Sequence, residues 1–235
     1  MKLWILTEEK PKRKVISKIL KMSYQEIFKK QQPFCDIKIN YDNLVIIPII
    51  KTFNNQLFFT FIYKIENIKF PCEIFIKTVS GNSSFVDFLV FLQENEPDPE
   101  KYNNNLLFAI EETKTSDEES RNTGIYQRAS KFIYLDYYYP SVKKYMLFNN
   151  QKYIKNSEEK LTDTNIFGTR LLMTIGVNFI GKDVSNLKKF STIDEIIDFK
   201  KNMRKPPLGN VPITINKYSN VIKISGRLSK PKITG

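Results

Sequence analysis

The alternation of apolar and polar residues predicts two strands in the middle of the chain, each with a carboxylate towards one end. The first strand, residues 85–92, is apolar on both faces except for Asp87, which is typical of a central strand. The second strand, residues 106–114, begins with apolar residues and ends with Glu112 and Lys114. The two predicted strands are therefore the natural place to look for a site.

The connection between these strands, residues 94–105, is rich in Pro, Asp and Asn and is typical of a turn. The two strands can therefore be neighbours in one sheet, which brings Asp87 towards Glu112 and Lys114. Because side chains alternate along a strand, Glu112 and Lys114 share one face and Glu111 belongs to the other. An acid and an amine at the end of an apolar strand are costly to bury unless they are compensated. A divalent metal ion and a phosphate would compensate them.

The rest of the chain is predicted to contain both helices and strands. A helix is expected after Lys114, with Ile125, Ala129 and Phe132 on its apolar face. Three further helices are predicted: one that begins near Thr7 with Pro11 in its first turn, a short one from Ser23, and one that begins at Thr192 with Glu195 in a capping box. The predicted strands are an antiparallel meander over residues 34–77, strands at 132–138 and 142–148, and short strands at 213–224. The segment at 166–180 is ambiguous between helix and strand.

The order of these groups resembles a known enzyme family. Asp87, then Glu112-Thr113-Lys114 after a hairpin-like connection, then a helix with Gln127 and Arg128, resembles the PD-(D/E)xK nuclease core, as in type II restriction endonucleases. The one departure is Val86, which stands where the family pattern has proline. The resemblance implies an α/β (α+β) fold, with a mixed central β-sheet flanked by helices and extra strands around the core.

The resemblance also implies an activity. The chain would be a single endonuclease domain, residues 1–235, with its catalytic core at about residues 80–140. Asp87 and Glu112 would hold Mg²⁺, and Lys114 would be the third catalytic residue. The enzyme would cut double-stranded DNA at specific sites and leave 5′-phosphate and 3′-hydroxyl ends. A palindromic target would imply a two-fold homodimer.

Further site residues follow from the same resemblance. In this family the helix after the ExK strand packs beside the site and often carries a glutamine near it. The expected DNA-contacting residues are Arg121, Asn122, Gln127, Arg128 and Lys131, with Gln127 also expected near the site. Glu26 is a further candidate acid, because a helical acid reaches the active site in some of these nucleases.

The spacing of Glu112 and Lys114 is not specific by itself, because an acid two residues before a lysine occurs five times in the chain. The other instances are Glu8/Lys10, Asp36/Lys38, Glu158/Lys160 and Asp198/Lys200. The first and last are predicted to lie in helices, and Glu158/Lys160 in a polar loop. Asp36/Lys38 is the serious rival because it also looks like a strand, but no acid on an apolar strand precedes it.

Composition narrows the possible chemistry. The net charge of +12 makes a polyanion the natural partner. Histidine is absent, which excludes Ser-His triads, histidine metal sites and histidine-dependent nucleases. Any hydrolysis must therefore use carboxylates, lysine or tyrosine.

Cysteine content and hydropathy indicate a reduced compartment and no membrane. The two cysteines, Cys35 and Cys72, cannot build a four-ligand zinc site. No apolar run approaches the ~18 residues of a membrane span. The apolar run at the start of the chain is too short for a signal peptide, and acidic residues follow it too soon. We therefore expect a cytoplasmic protein.

Three other functional classes stay open at this point. The chain could be a basic nucleic-acid-binding module whose acids are incidental. Gly124-Ile-Tyr126 prompts a GIY-YIG nuclease, although these residues fall in a helical stretch with no matching second half. The third class is a structural or protein-interaction domain, which would lack the salt-dependent DNA affinity that phosphate contacts give.

Overall fold

The computed structural model describes residues 1–30, 44–79, 86–98, 104–113, 123–148, 163–203, 214–218 and 221–225. The chain forms both strands and helices in these ranges. In chain order they are β1 (Lys2–Thr7), α1 (Arg13–Phe28), β2 (Val45–Phe53), β3 (Gln56–Ile65), β4 (Glu73–Thr78), β5 (Phe88–Gln93), β6 (Leu106–Thr113), α2 (Thr123–Tyr138), β7 (Lys143–Phe148), α3 (Asp163–Thr174), β8 (Val177–Ile180), α4 (Ile193–Asn202), β9 (Thr214–Tyr218) and β10 (Val221–Ser225).

The main sheet is mixed and has eight strands in the order β2-β3-β4-β1-β5-β6-β7-β8. The neighbours β2, β3 and β4 are antiparallel, as are β1 with β5 and β5 with β6. The pairs β1 with β4, β6 with β7 and β7 with β8 are parallel. The expected mixed α/β architecture is therefore confirmed, and so is the meander over the described residues 45–78.

Helices cover both faces of this sheet, and the sheet separates two layers of the core. On one face, α1 packs Ile16 and Ile19 with the strand residues Phe108 and Ile110. On the other face, α2 packs Phe132 and Leu135 with strand residues that include Ala109. Burying each large side chain contributes roughly 1.5–3 kcal/mol. The alternation along β6 therefore decides which helix each of its side chains meets.

The start of the chain differs from the sequence-based prediction. The expected helix near Thr7 begins only at Arg13, and Lys2–Thr7 forms a strand between β4 and β5. Leu3 to Leu6 are all buried, as is typical of a strand covered on both faces. A short apolar run of this kind cannot be assigned by periodicity alone, which explains the error.

The aromatic run at 132–138 was predicted as a strand, and this prediction is wrong. These residues complete α2, which extends to Tyr138. Phe132 and Leu135 are buried while Ile133 and Tyr137 are exposed. This spacing is that of a helix, and its burial pattern outweighs the strand preference of aromatic residues.

Several smaller predictions are also resolved. The ambiguous segment divides into α3 and β8, with a turn at Gly176, whose φ of +79° favours glycine. Thr192 caps α4 by accepting a bond of 3.1 Å from the Glu195 amide, as expected. Ser23 starts no new helix, since α1 is continuous and the Ser23 hydroxyl donates to the Ile19 carbonyl.

Candidate active site

Asp87 lies at a bend directly before β5, at the end of the sheet where β6 finishes. The predicted strand began at residue 85, but the ladder with β6 starts at Phe88, which pairs with Ile110. The Asp87 carboxylate reaches across to β6, where its Oδ2 accepts a bond of 2.6 Å from the Glu112 amide. The prediction that the two strands are neighbours and bring Asp87 towards Glu112 is therefore confirmed.

Glu111 and Glu112 lie on opposite faces of β6, as the alternation predicted. Glu112 is half-buried and lines a cavity of about 130 Å³ together with Asp87 and Phe88. Glu111 is buried on the α2 face, with its side chain 6% exposed. Its Oε1 accepts from Lys131 Nζ at 2.8 Å, and its Oε2 accepts from the Asp87 amide at 3.2 Å.

The pKa values of Glu111 and Lys131 are both shifted by their buried, charged surroundings. Burial and the nearby charge of Asp87 raise the pKa of Glu111, and they outweigh the contact with Lys131. Burial on its own lowers the pKa of Lys131, but Glu111, Asp87 and Glu8 together raise that pKa above its usual value. Ionisation of Glu111 is therefore disfavoured, first by its burial and then by the neighbouring carboxylate of Asp87.

The same cavity is lined by the connection between β1 and α1, which the sequence interpretation had placed in a helix and set aside. Residues 7–12 form part of the wall beside Asp87 and Glu112. The reason is topological, because β1 pairs antiparallel with β5 and Thr7 faces Phe88. The signal that could have found this segment is the apolar run Leu3–Leu6, whose end carries Glu8 and Glu9.

The residues predicted to contact DNA fall into two groups. Arg128 donates from Nη2 to Thr113 Oγ1 at 3.3 Å, and Lys131 binds Glu111, so both lie near the end of β6. Gln127 belongs to α2, but its side chain is outside the described part. Lys114, Arg121 and Asn122 also lie outside the described residues, as does the rival pair Asp36/Lys38.

Glu26 does not belong to this site. It binds Lys143 Nζ at 2.6 Å and Lys29 Nζ at 2.7 Å. Lys143 pairs with Phe108 in the parallel β6–β7 ladder, whereas Glu112 pairs with Leu147. Because each strand residue advances the chain by about 3.3 Å, Glu26 lies near the opposite end of the strands from Asp87.

The predicted metal ligands Asp87 and Glu112 are both carboxylates and lie at one cavity. Asp87 and Glu112 share a cavity, and carboxylate oxygens are the ligands that Mg²⁺ prefers while it retains several waters. Across the described ranges, no group of three or more Asp, Glu or Cys side chains has an arrangement that could hold a metal ion. A bound Mg²⁺ would therefore rely on two protein carboxylates, with water and phosphate as the other ligands.

Comparison with known proteins provides no relative. No protein-family model, curated protein or solved structure matches this chain. Within the described residues, none of the helices has the length and apolar character needed to cross a membrane.

Proposed function

We propose that this chain is a Mg²⁺-dependent endonuclease of the type II restriction kind, which cuts double-stranded DNA at specific sites. One observation carries the proposal. The antiparallel β5–β6 pair brings Asp87 and Glu112 to one cavity, and α2 follows β6 in the chain. Asp87, Glu112 and a following helix are, in this order, part of the pattern on which the resemblance to the PD-(D/E)xK nucleases rests, and Lys114 lies outside the described residues.

Three side chains would take part in the proposed chemistry, each in a different role. Asp87 and Glu112 would hold the cation at the end of the sheet, where a phosphodiester group can approach. When held there, the cation would supply a water of lowered pKa and would stabilise the charge that develops at phosphorus. Lys114 would orient or deprotonate the attacking water and offset negative charge. The products would carry 5′-phosphate and 3′-hydroxyl ends.

Binding of the duplex would rely on the positive charge of the chain. The net charge of +12 suits a polyanion, and phosphate contacts fix position while base edges supply sequence choice. Arg121, Asn122, Gln127 and Arg128 are the proposed DNA-contacting residues on and before α2. A homodimer would suit a palindromic site.

The test is incubation of mixed plasmid and genomic DNA with the purified chain, with and without Mg²⁺. We expect discrete fragments that require Mg²⁺. Lys114→Ala should bind duplex DNA with unchanged affinity and lose cleavage, because the water would no longer be activated. Lys200→Ala is the matched control, since Asp198/Lys200 has the same spacing but lies in α4.

Two results would count against this function. Normal cleavage by Lys114→Ala would remove the proposed catalytic lysine. Salt-dependent DNA binding by the wild type without any Mg²⁺-dependent nicking would favour the alternative, a non-catalytic basic nucleic-acid-binding domain. The net charge supports this alternative equally well, so only the nicking assay separates the two functions.

A further inference from the structure

We propose that Glu111 and Lys131 are positioning residues, which fix Asp87 in the place where it serves the site. Lys131 would act through Glu111 and not as a contact to DNA. The functional meaning of this inference rests on the proposed nuclease activity, because it assigns Asp87 to the cation. The structural part concerns only how Asp87 is held.

Three consecutive hydrogen bonds join these residues. Lys131 Nζ donates to Glu111 Oε1 at 2.8 Å, and the Asp87 amide donates to Glu111 Oε2 at 3.2 Å. The Glu112 amide in turn donates to Asp87 Oδ2 at 2.6 Å. The series therefore runs from α2, through the buried face of β6, to both residues that line the cavity.

These side-chain bonds matter because the backbone ladder does not extend to Asp87. The first paired residues of the β5–β6 ladder are Phe88 and Ile110, and Asp87 lies at a bend one residue earlier. The amide of Asp87 is instead bound by the side chain of Glu111. Glu111 therefore holds the backbone of Asp87, and the Glu112 amide holds one oxygen of its carboxylate.

Glu111 is placed for this task and not for contact with a ligand in the cavity. Its side chain is 6% exposed and lies on the α2 face, whereas the cavity is lined by Glu112 from the other face. A buried carboxylate needs hydrogen-bonding partners, and Glu111 has one on each oxygen. Its two bonds connect the ammonium group of Lys131 on α2 with the backbone amide of Asp87 before β5.

Lys131 has a different environment from that of a free phosphate-binding lysine. Its side chain is 41% exposed, and its ammonium group contacts the buried Glu111. Turning towards DNA would leave the buried Glu111 with one partner fewer, which is unfavourable. Arg128 is a suitable control on the same helix, because its bond goes to the hydroxyl of Thr113 and not to Glu111.

The test is amide hydrogen exchange of the full-length chain, measured by NMR without metal or DNA. In Lys131→Gln, Glu111 loses its charged partner and should hold the Asp87 amide less well. We expect exchange at Asp87 and at Glu112 to become about tenfold faster, the size expected for losing one side-chain hydrogen bond. Glu112 is informative because its amide bonds to the Asp87 carboxylate and not to Glu111, so it lies one step further along the series.

Two further variants keep the result interpretable. Glu111→Gln keeps an oxygen for the Asp87 amide and removes the buried charge, so Lys131→Gln in this background should fold and should change exchange at Asp87 less. Arg128→Gln should leave exchange at both amides unchanged. Unchanged exchange at Asp87 and Glu112 in Lys131→Gln would overturn the inference.

Cleavage assays then separate this inference from the proposed function. In a wild type that cuts DNA, Lys131→Gln should lower kcat with KM and DNA affinity unchanged, and Lys131→Arg should restore most of the rate. A change in DNA affinity with unchanged kcat would show that Lys131 contacts DNA and would overturn the positioning role. A wild type that cuts no DNA defeats the nuclease proposal, while the exchange rates still decide how Asp87 is held.

Discussion

Two glutamate–lysine pairs lie near opposite ends of the β6–β7 ladder and differ in burial, in the number of lysine partners and in the direction of the glutamate's pKa shift. Glu26 is partly exposed, with 21% of its side chain accessible, and it binds two lysines. Glu111 is almost fully buried beside another carboxylate and binds one lysine. Burial raises the pKa of Glu26, but its bonds to Lys143 and Lys29 outweigh this and lower the pKa overall, whereas burial and Asp87 raise the pKa of Glu111.

This contrast distinguishes a surface ion pair from a candidate site. Exposed pairs contribute little to stability, and their charges are already balanced. Burial and the neighbouring Asp87 make ionisation of Glu111 costly, and groups with such shifted pKa values are concentrated at functional sites. The end of the sheet with Asp87 is therefore the place where added chemistry is expected.

The largest expected effect is on the rate of cleavage, which should depend on the end of the sheet with Asp87 and not on the end with Glu26. If the proposed nuclease site is correct, Asp87→Asn or Glu112→Gln should reduce Mg²⁺-dependent cleavage by about a thousandfold or more, because a proposed ligand to the cation would be lost. Glu26→Gln should leave the rate of cleavage within about twofold, since Glu26 lies near the opposite end of the strands and forms only surface ion pairs with lysines. Initial rates of plasmid cleavage measure this difference. Equal losses in all three variants would contradict the assignment.

The next effect separates the ends by stability. Lys131→Met leaves a buried glutamate with one partner fewer and should lower the free energy of unfolding by about 2 kcal/mol, less than for a fully buried pair because Lys131 is partly exposed. Lys143→Met should cost about 0.2–1 kcal/mol, as for other exposed pairs. Urea unfolding of both variants tests this order. A larger loss in Lys143→Met would reverse the comparison.

The two pairs should also respond to pH in opposite directions. The folded pKa of Glu26 is lowered, so its contribution to stability is present above the ordinary value of 4.5 and is lost as the pH falls through the folded pKa. The folded pKa of Glu111 is raised, so its contribution is present below 4.5 and is lost as the pH rises through the folded pKa.

Unfolding free energies from about pH 3 to pH 7 provide the measurement, because the Glu26 contribution changes mainly below pH 4.5 and the Glu111 contribution above it. Relative to the wild type, Glu111→Gln should gain stability with rising pH, and Glu26→Gln should lose it. Parallel curves for the two variants would show that the environments of the two glutamates do not differ as described.

The smallest expected effect concerns DNA binding by Arg128. Arg128→Gln should weaken duplex binding a few-fold and reduce the slope of log affinity against log salt by about one, as for the loss of one phosphate contact. Lys131→Gln should leave this slope unchanged. Fluorescence anisotropy at several salt concentrations compares the two variants. An identical change in both would place Lys131 on the DNA.

The sequence allowed the core pair of strands to be predicted because their apolar residues are interrupted at few positions. Asp87 is the one charged residue in its run, and Glu111 and Glu112 directly follow the apolar residues 106–110, so these acids stand out. Alternation then placed Glu111 and Glu112 on opposite faces correctly. The bond from Glu111 to the Asp87 amide could not be predicted, because it depends on the ladder ending at Phe88.

The N-terminal segment shows why the rest of the site was missed. Leu3 to Leu6 form a strand only because β4 and β5 lie on either side, and these partners are distant in the chain. Without that pairing, Thr7 and the acids after it resemble a helix start. The wall formed by residues 7–12 follows from the tertiary arrangement and not from any local pattern.

The most direct test of the account is to locate a cation bound at the end of the sheet. Fe²⁺ can replace Mg²⁺, and with ascorbate and peroxide it generates radicals that cut the polypeptide near the bound ion. Mass spectrometry should find cuts close to residues 8–12, 86–88 and 111–113, suppressed by excess Mg²⁺ and absent in Glu112→Gln. Cuts elsewhere, or cuts that persist in Glu112→Gln, would contradict a cation shared by Asp87 and Glu112.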